Sequence, residues 1–318
     1  MTGGNPKIAL TPFFSAPWWL HGGHLQTIWP TLFPPPRVPL ARRRWDTPDG
    51  DFIDVDSAGR ADAPRLLVLF HGLEGGSDSH YARGLAAAAV AAGWRIAIPH
   101  FRGCSGEPNR TKRAYHSGDS EEVDWVLRNM KRGAPDLYAA GVSLGGNALL
   151  KWLGERGEEA AKVVKRAAAV SAPLDLAASG RALDRGLNRL IYTRHFLSTL
   201  KPKSIAKLEV FPGLYDGAAV LSARTFKEFD DTVTAPLHGF RDAEDYWSAS
   251  SSGPYLERVR VPTLVLNARN DPFLPEHDLV AAARKAAPPV LLEFPAHGGH
   301  AGFRHPWLAQ RLFRFFDQ

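Results

Sequence analysis

The chain has 318 residues, 44% hydrophobic and 23% charged, with a formal net charge of +6 and one cysteine. That balance excludes a disordered chain. The lone Cys104 excludes an internal disulfide framework and suits a reducing, cytoplasmic setting, and basic residues scattered among acidic ones, without a recognisable module, exclude a nucleic-acid partner.

At the N-terminus, Lys7 is the one early positive charge, and Pro12 and Pro17 interrupt the apolar stretch, so no secretory leader is expected. Residues 12–39 are rich in proline and carry Trp18, Trp19 and Trp29, which predicts an extended arm (1–40) laid over the domain, its tryptophans packed on the core. Residues 43–55 read as a hairpin turning at Pro48-Asp49-Gly50. Residues 65–70, Arg-Leu-Leu-Val-Leu-Phe, form a continuous apolar run, as in a strand buried on both faces. A helix follows over 81–92, ended by Gly93, then a strand over 94–99 and a helix over 119–131. The longest weakly apolar run, 85–94, is largely alanine and too short to cross a bilayer.

Strands are next expected over 137–142 and 166–170, with a helix over 146–153 between them. Residues 174–254 break the rhythm with an irregular helical pattern and no buried strand, and are read as a lid insertion. A strand over 263–267, a helix over 276–287, a strand over 290–294 and a helix over 306–316, its start marked by Pro306, complete the chain. Strands alternating with long helices predict an α/β fold: a single domain, 1–318, with a mostly parallel, doubly wound sheet.

The segment Gly141-Val142-Ser143-Leu144-Gly145 contains Gly-x-Ser-x-Gly between a predicted strand and a predicted helix. A serine on so sharp a turn needs glycines at minus and plus two, because side chains there would collide. The turn pushes the hydroxyl beyond the sheet's edge, and the following helix N-terminus favours developing negative charge. Ser143 is therefore the candidate nucleophile, and a serine needs a base to take its proton.

In this kind of fold the acid and then the histidine follow the serine along the chain. Asp271 follows a buried strand. His297 and His300 both follow the last strand; His300 is favoured because Gly299 and Ala301 leave its imidazole room, and His297 is read as a loop histidine with a structural hydrogen bond. Asp278 rivals Asp271 but lies within a helical pattern. Oxyanion donors are expected at the backbone N–H groups of Leu73, after the first buried strand, and Leu144, after the nucleophile. His71 with Glu74, and His21 with His24, look like metal pairs, yet two side chains without further ligand spacing make no zinc site. No metal and no cofactor is expected.

These motifs resemble the YheT-like branch of the α/β hydrolases, a group of predicted esterases with relatives among eukaryotic lipid-acting hydrolases and medium-chain acyltransferases. The resemblance runs along almost the whole chain: Trp18-Trp19-Leu20, His24-Leu25-Gln26-Thr27, Phe70-His71-Gly72-Leu73-Glu74-Gly75 and the elbow through Asn147. It continues through Phe229-Asp230-Asp231, Thr234-Ala235-Pro236, His238-Gly239-Phe240 and Asp245-Tyr246, to Asn270-Asp271-Pro272-Phe273 and Gly298-Gly299-His300-Ala301-Gly302-Phe303. It implies Ser143, Asp271 and His300 as the triad and an ester or lipid-like small molecule as substrate.

The insertion carries Arg181, Arg185, Arg189, Arg194, Lys201, Lys203 and Lys207 among Leu187, Leu190, Ile191, Phe196 and Leu197. The plain expectation is an amphipathic helix with its basic face in water. The sharper one is peripheral contact with anionic lipid or an acidic substrate.

Overall fold

The structure, a computed structural model, describes residues 14–318. The leader expectation at Lys7 and Pro12, and the first part of the arm, lie outside the described residues. Eight strands, β1 (Ala41–Asp46), β2 (Phe52–Ala58), β3 (Arg65–Phe70), β4 (Arg95–Pro99), β5 (Asp136–Val142), β6 (Arg166–Val170), β7 (Thr263–Leu266) and β8 (Val290–Glu293), form one sheet. Its order is β1-β2-β4-β3-β5-β6-β7-β8. The first hairpin turns where Pro48-Asp49-Gly50 predicts, and it joins antiparallel; from β4 to β8 all neighbours are parallel. The α/β expectation is met.

Five helices precede the interruption, of which the first and the last were not foreseen: α1 (Gly22–Leu32), α2 (His80–Ala91), α3 (Ser120–Lys131), α4 (Leu144–Arg156) and the short α5 (Glu158–Val163). Helix α3 starts on a true cap, since the Asp119 carboxylate accepts the Glu122 N–H. One face of the sheet packs Val123, Leu127, Leu149, Trp152 and Leu279; the other packs Leu85, Trp94, Ile96, Leu312 and Phe316. Both faces are covered, which is why β3, β5 and β6 read as unbroken apolar runs.

Between β6 and β7 the chain is helical: α6 (Leu176–Leu183), α7 (Gly186–Asn188), a π-helical turn (Arg189–Thr193), α8 (Arg194–Val210), α9 (Gly217–Ser222), α10 (Phe226–Phe229), a second π-helical turn (Asp230–Thr234), α11 (Ala235–Leu237) and α12 (Ala243–Ser250). These elements share small apolar clusters of their own, one around Leu176, Phe226, Tyr246 and Trp247, another around Leu197, Val220, Phe229 and Val233. Helices α13 (Glu276–Ala283) and α14 (Trp307–Phe316) complete the fold, with Pro306 at the N-cap of α14.

Three expectations are corrected. The arm is not extended throughout, because 22–32 is helical; its Pro30 lies near the C-terminal end, where a missing N–H costs one bond. Trp18 is not packed on the core but 84% exposed, while Trp19 sets its edge on Trp29 at 4.8 Å. The basic residues of the insertion do not form one wetted face. Lys203 pairs with Glu74, Lys207 donates to Asn109 and to the Thr111 and Arg113 carbonyls, Lys201 donates to the Leu221 carbonyl, and Arg181 pairs with Glu244. Arg185, Arg189 and Arg194 remain at the surface. Among the described residues no helix is long and apolar enough to cross a membrane.

Candidate active site

After β3 the chain runs outward to β4 on one side, then crosses to β5 on the other. The carboxyl ends of β3 and β5 therefore flank a switch point, where open α/β sheets form their crevice. Ser143 leaves β5 there with φ +54° and ψ −121°, a conformation costing about 1–3 kcal/mol for a side-chain-bearing residue. The flanking glycines are sterically required. A Cβ on Gly141 would stand 2.3 Å from the Gly145 carbonyl oxygen, and one on Gly145 would stand 2.5 Å from the carbonyl oxygens of Phe70 and His71.

The loops after β7 and β8 bring Asp271 and His300 to the same edge. His300 Nε2 lies 2.9 Å from Ser143 Oγ, and His300 Nδ1 lies 2.9 Å from Asp271 Oδ2. A carboxylate only accepts, so Nδ1 carries the proton and Nε2 is left to accept from the serine. The Asp271 carboxylate is fully buried, and its other oxygen accepts the Phe273 N–H at 2.8 Å. The Phe273 ring stacks on the imidazole at 4.0 Å, fixing its plane from the side.

Gly72 to Gly75 form a tight turn closed by Gly75 N–H donating to the Gly72 carbonyl at 3.0 Å. The N–H groups on both sides of Leu73 are taken: Gly72 donates to Tyr81 Oη at 2.8 Å and Glu74 to Tyr115 Oη at 3.0 Å. Leu73 and Leu144 line the same cavity as Ser143 and His300, and Leu144 is the first residue of α4. That cavity holds about 770 Å³ and is mostly apolar, with Leu176, Leu183, Phe196, Phe226 and Trp247 among its walls.

The residues set aside have structural work. His71 is buried; Nδ1–H donates to the Gly72 carbonyl at 2.7 Å, Nε2 accepts the Phe101 N–H at 3.0 Å, and burial pushes its pKa down to about 3. His24 stacks on Tyr192, with Nδ1 3.1 Å from its hydroxyl. Asp278 pairs with His277 on α13. His297 is exposed and its ring has no hydrogen bond among the described residues, which corrects the expectation of a structural one.

Several supporting residues are not legible from spacing. Thr27 Oγ1 accepts the His300 N–H at 2.8 Å and donates to the Gly23 carbonyl. Gln26 Oε1 accepts from Gly298 N–H at 2.8 Å and from Asn270 Nδ2 at 2.9 Å, while its Nε2 donates to the Leu20 carbonyl. The His-Leu-Gln-Thr segment thus grips the histidine loop from α1. Ser171 Oγ accepts the Ala301 N–H, and the His80 ring, kept neutral by burial, donates to the Ala301 carbonyl. Asn147, at the end of the elbow motif, joins α4 to the carbonyls of Ser117 and Ser250 and to the N–H of Ser252.

Comparison with known proteins agrees with this architecture. Residues 65–304 match the family model for the alpha/beta hydrolase fold. The chain is 40% identical over 304 residues to YheT of Escherichia coli (strain K12), covering 91% of this chain and 88% of that protein. It is 32% identical over 308 residues to phospholipase ABHD3 of Mus musculus, covering 91% and 74%. Among solved structures, the Pyrococcus furiosus esterase Pf2001 superposes with a TM-score of 0.58 over 89% of this chain and 97% of that one; at 15% identity that likeness concerns the fold alone. The chain belongs to the α/β-hydrolase fold family, in its YheT-like branch, and is a hydrolase of the esterase class.

Proposed function

We propose that the chain cleaves carboxylic esters in two steps through an acyl-enzyme on Ser143. The observation that carries this reading is the continuous relay from Ser143 Oγ through His300 to Asp271, two contacts of 2.9 Å each. His300 takes the hydroxyl proton as Oγ attacks the ester carbonyl. Asp271 holds the imidazole and stabilises its charge, and the carbonyl oxygen gathers negative charge against the N–H groups of Leu73 and Leu144. The C–O bond to the alcohol then breaks, and His300 passes its proton to the leaving oxygen. Water enters, gives a proton to His300 and attacks the acyl carbon; collapse releases the carboxylic acid and returns the proton to Ser143.

The apolar cavity supports an acyl or lipid-like substrate, and a phospholipase and a monoacylglycerol lipase among the relatives point the same way. Within one domain, the insertion 174–254 serves as a lid roofing that cavity, and the described part of the arm, 14–40, braces the histidine loop through Gln26 and Thr27. The same acyl-enzyme would transfer its acyl group to an alcohol or thiol wherever water is excluded from the apolar site. Contact with an anionic lipid surface is supported by Trp18, Leu25, Leu32 and Phe33 on the arm and by Leu187 and Leu190 on the insertion. All are exposed apolar side chains, and the surface arginines 185, 189 and 194 accompany them.

The test is a chain-length series of p-nitrophenyl esters, then phospholipids, with Ser143→Ala as control. Turnover lost in Ser143→Ala, by roughly a thousandfold or more, is the expected result. Turnover that survives this substitution rules the mechanism out. Added alcohol converting the product from acid to ester identifies transfer.

A further inference from the structure

Glu74 occupies a corner of the Gly72–Gly75 turn with φ +54°, a conformation that glycine or asparagine usually takes at that position. The carboxylate of this strained residue is only 7% exposed and is engaged on both oxygens. The Tyr115 hydroxyl accepts the Glu74 N–H at 3.0 Å and donates to Oε1 at 2.8 Å, so one phenol clasps backbone and side chain together. Oε2 lies 2.8 Å from Nζ of Lys203.

Lys203 comes from α8, which also lines the cavity. One helical turn later, Lys207 donates at 2.8 Å to Asn109 Oδ1 and to the Thr111 carbonyl. Helix α8 is thus fastened to the sheet domain at two successive turns. One of those fastenings ends on the residue beside Leu73, whose side chain packs against both the sheet core and the apolar cluster of the insertion.

We propose that Glu74 is a positioning residue: through Lys203 it couples the seating of α8 to the aim of the Leu73 N–H into the cavity. The proposal rests on reading Leu73 as an oxyanion donor. With α8 seated, the ammonium holds the carboxylate, the carboxylate and Tyr115 hold the turn, and the free N–H between them points where the carbonyl oxygen gains charge. Loss of this hold weakens a contact that strengthens only in the transition state, so it lowers kcat and spares KM.

The experiment compares wild type, Glu74→Ala, Glu74→Gln, Lys203→Met and the double variant Glu74→Ala/Lys203→Met. Each is assayed with soluble p-nitrophenyl butyrate and with a trifluoromethyl ketone, whose serine adduct carries the oxyanion. Glu74→Ala is expected to lose roughly tenfold or more in kcat with KM within about twofold, and to lose trifluoromethyl ketone affinity in step with kcat/KM. Glu74→Gln, which keeps an acceptor for Tyr115, recovers part of the loss. Lys203→Met, at a half-exposed site that does not endanger folding, shows a smaller loss of the same kind, and the double variant is no worse than Glu74→Ala. A change confined to KM, unaltered trifluoromethyl ketone affinity, or additive losses in the double variant overturns the coupling. Ser143→Ala is run alongside. If it is inactive while the Glu74 and Lys203 variants match wild type, the coupling alone fails; if it retains activity, the hydrolytic reading fails first.

Discussion

Thr27 and Gln26 bear directly on where the His300 ring stands. The loop that carries His300 has left-handed backbone at Gly299 and Ala301, and it is held by side chains from elsewhere rather than by a ladder of its own. Gln26 supplies one of those bonds, accepting the Gly298 N–H, and from the same buried position it accepts from the Asn270 amide and donates to the Leu20 carbonyl. Gln26→Ala leaves the Gly298 N–H and the Asn270 amide without their acceptor, at a cost of about 1–3 kcal/mol for each unsatisfied group. At roughly 2–4 °C per kcal/mol, thermal melts are expected to fall by several degrees. Ester kinetics are expected to show a lower kcat with little change in KM. A variant that melts and turns over like wild type contradicts this bracing role.

Helical elements in the insertion carry two irregularities that aim side chains inward. In the continuous helical stretch 186–210, the π-helical turn Arg189–Thr193 shifts the register and buries Tyr192 and Thr193, with the Tyr192 ring 4.5 Å from Phe273. The second π-helical turn begins with Asp230, whose carboxylate accepts from the Thr234 hydroxyl at 2.6 Å and from Trp247 Nε1 at 2.8 Å. Burial is the main cause that pushes the Asp230 carboxyl up to about 7. A carboxyl raised in the fold binds its proton there while the unfolded chain has lost it. From the ordinary carboxylate range up to about pH 7, this group therefore lowers stability as pH rises, by at most about 1.4 kcal/mol per pH unit; above that the effect is constant. Asp230→Asn removes the slope. Its melting temperature relative to wild type is expected to climb between pH 4 and pH 7 (about three pH units) and then level off. A difference that stays flat with pH, or falls, contradicts the assignment.

At the scale of the molecule, the sheet and the site were legible to different depths. Strands β3, β5 and β6 read directly as apolar runs because both sheet faces are covered. The elbow was legible because a serine on that turn leaves only glycine at 141 and 145. Helix α1 was hidden behind Gly22, Gly23 and Pro30, which mark a loop by local rules; its helix is supported by contacts with the histidine loop some 270 residues later. The π-helical turns leave no trace in a helical pattern, since they shift register without changing composition. Lys203 and Lys207 read as solvated charges because their acceptors, Glu74 and the 109–113 loop, lie far away in sequence.

The exposed apolar side chains of the arm and of the insertion give a prediction for the whole protein. Tryptophan emission is expected to shift blue with vesicles rich in phosphatidylserine and much less with phosphatidylcholine alone, and Trp18→Ser with Arg189→Gln is expected to weaken the shift severalfold. Equal response to both lipids contradicts contact with an anionic surface.

The most direct measurement is mass spectrometry of the protein quenched in acid during turnover of a p-nitrophenyl ester. The predicted result is one acyl group on the peptide containing Ser143, with none in Ser143→Ala, and much slower formation of the adduct in His300→Ala, which lacks the base that activates the serine. An adduct on another residue, or hydrolysis that continues in Ser143→Ala, contradicts the mechanism.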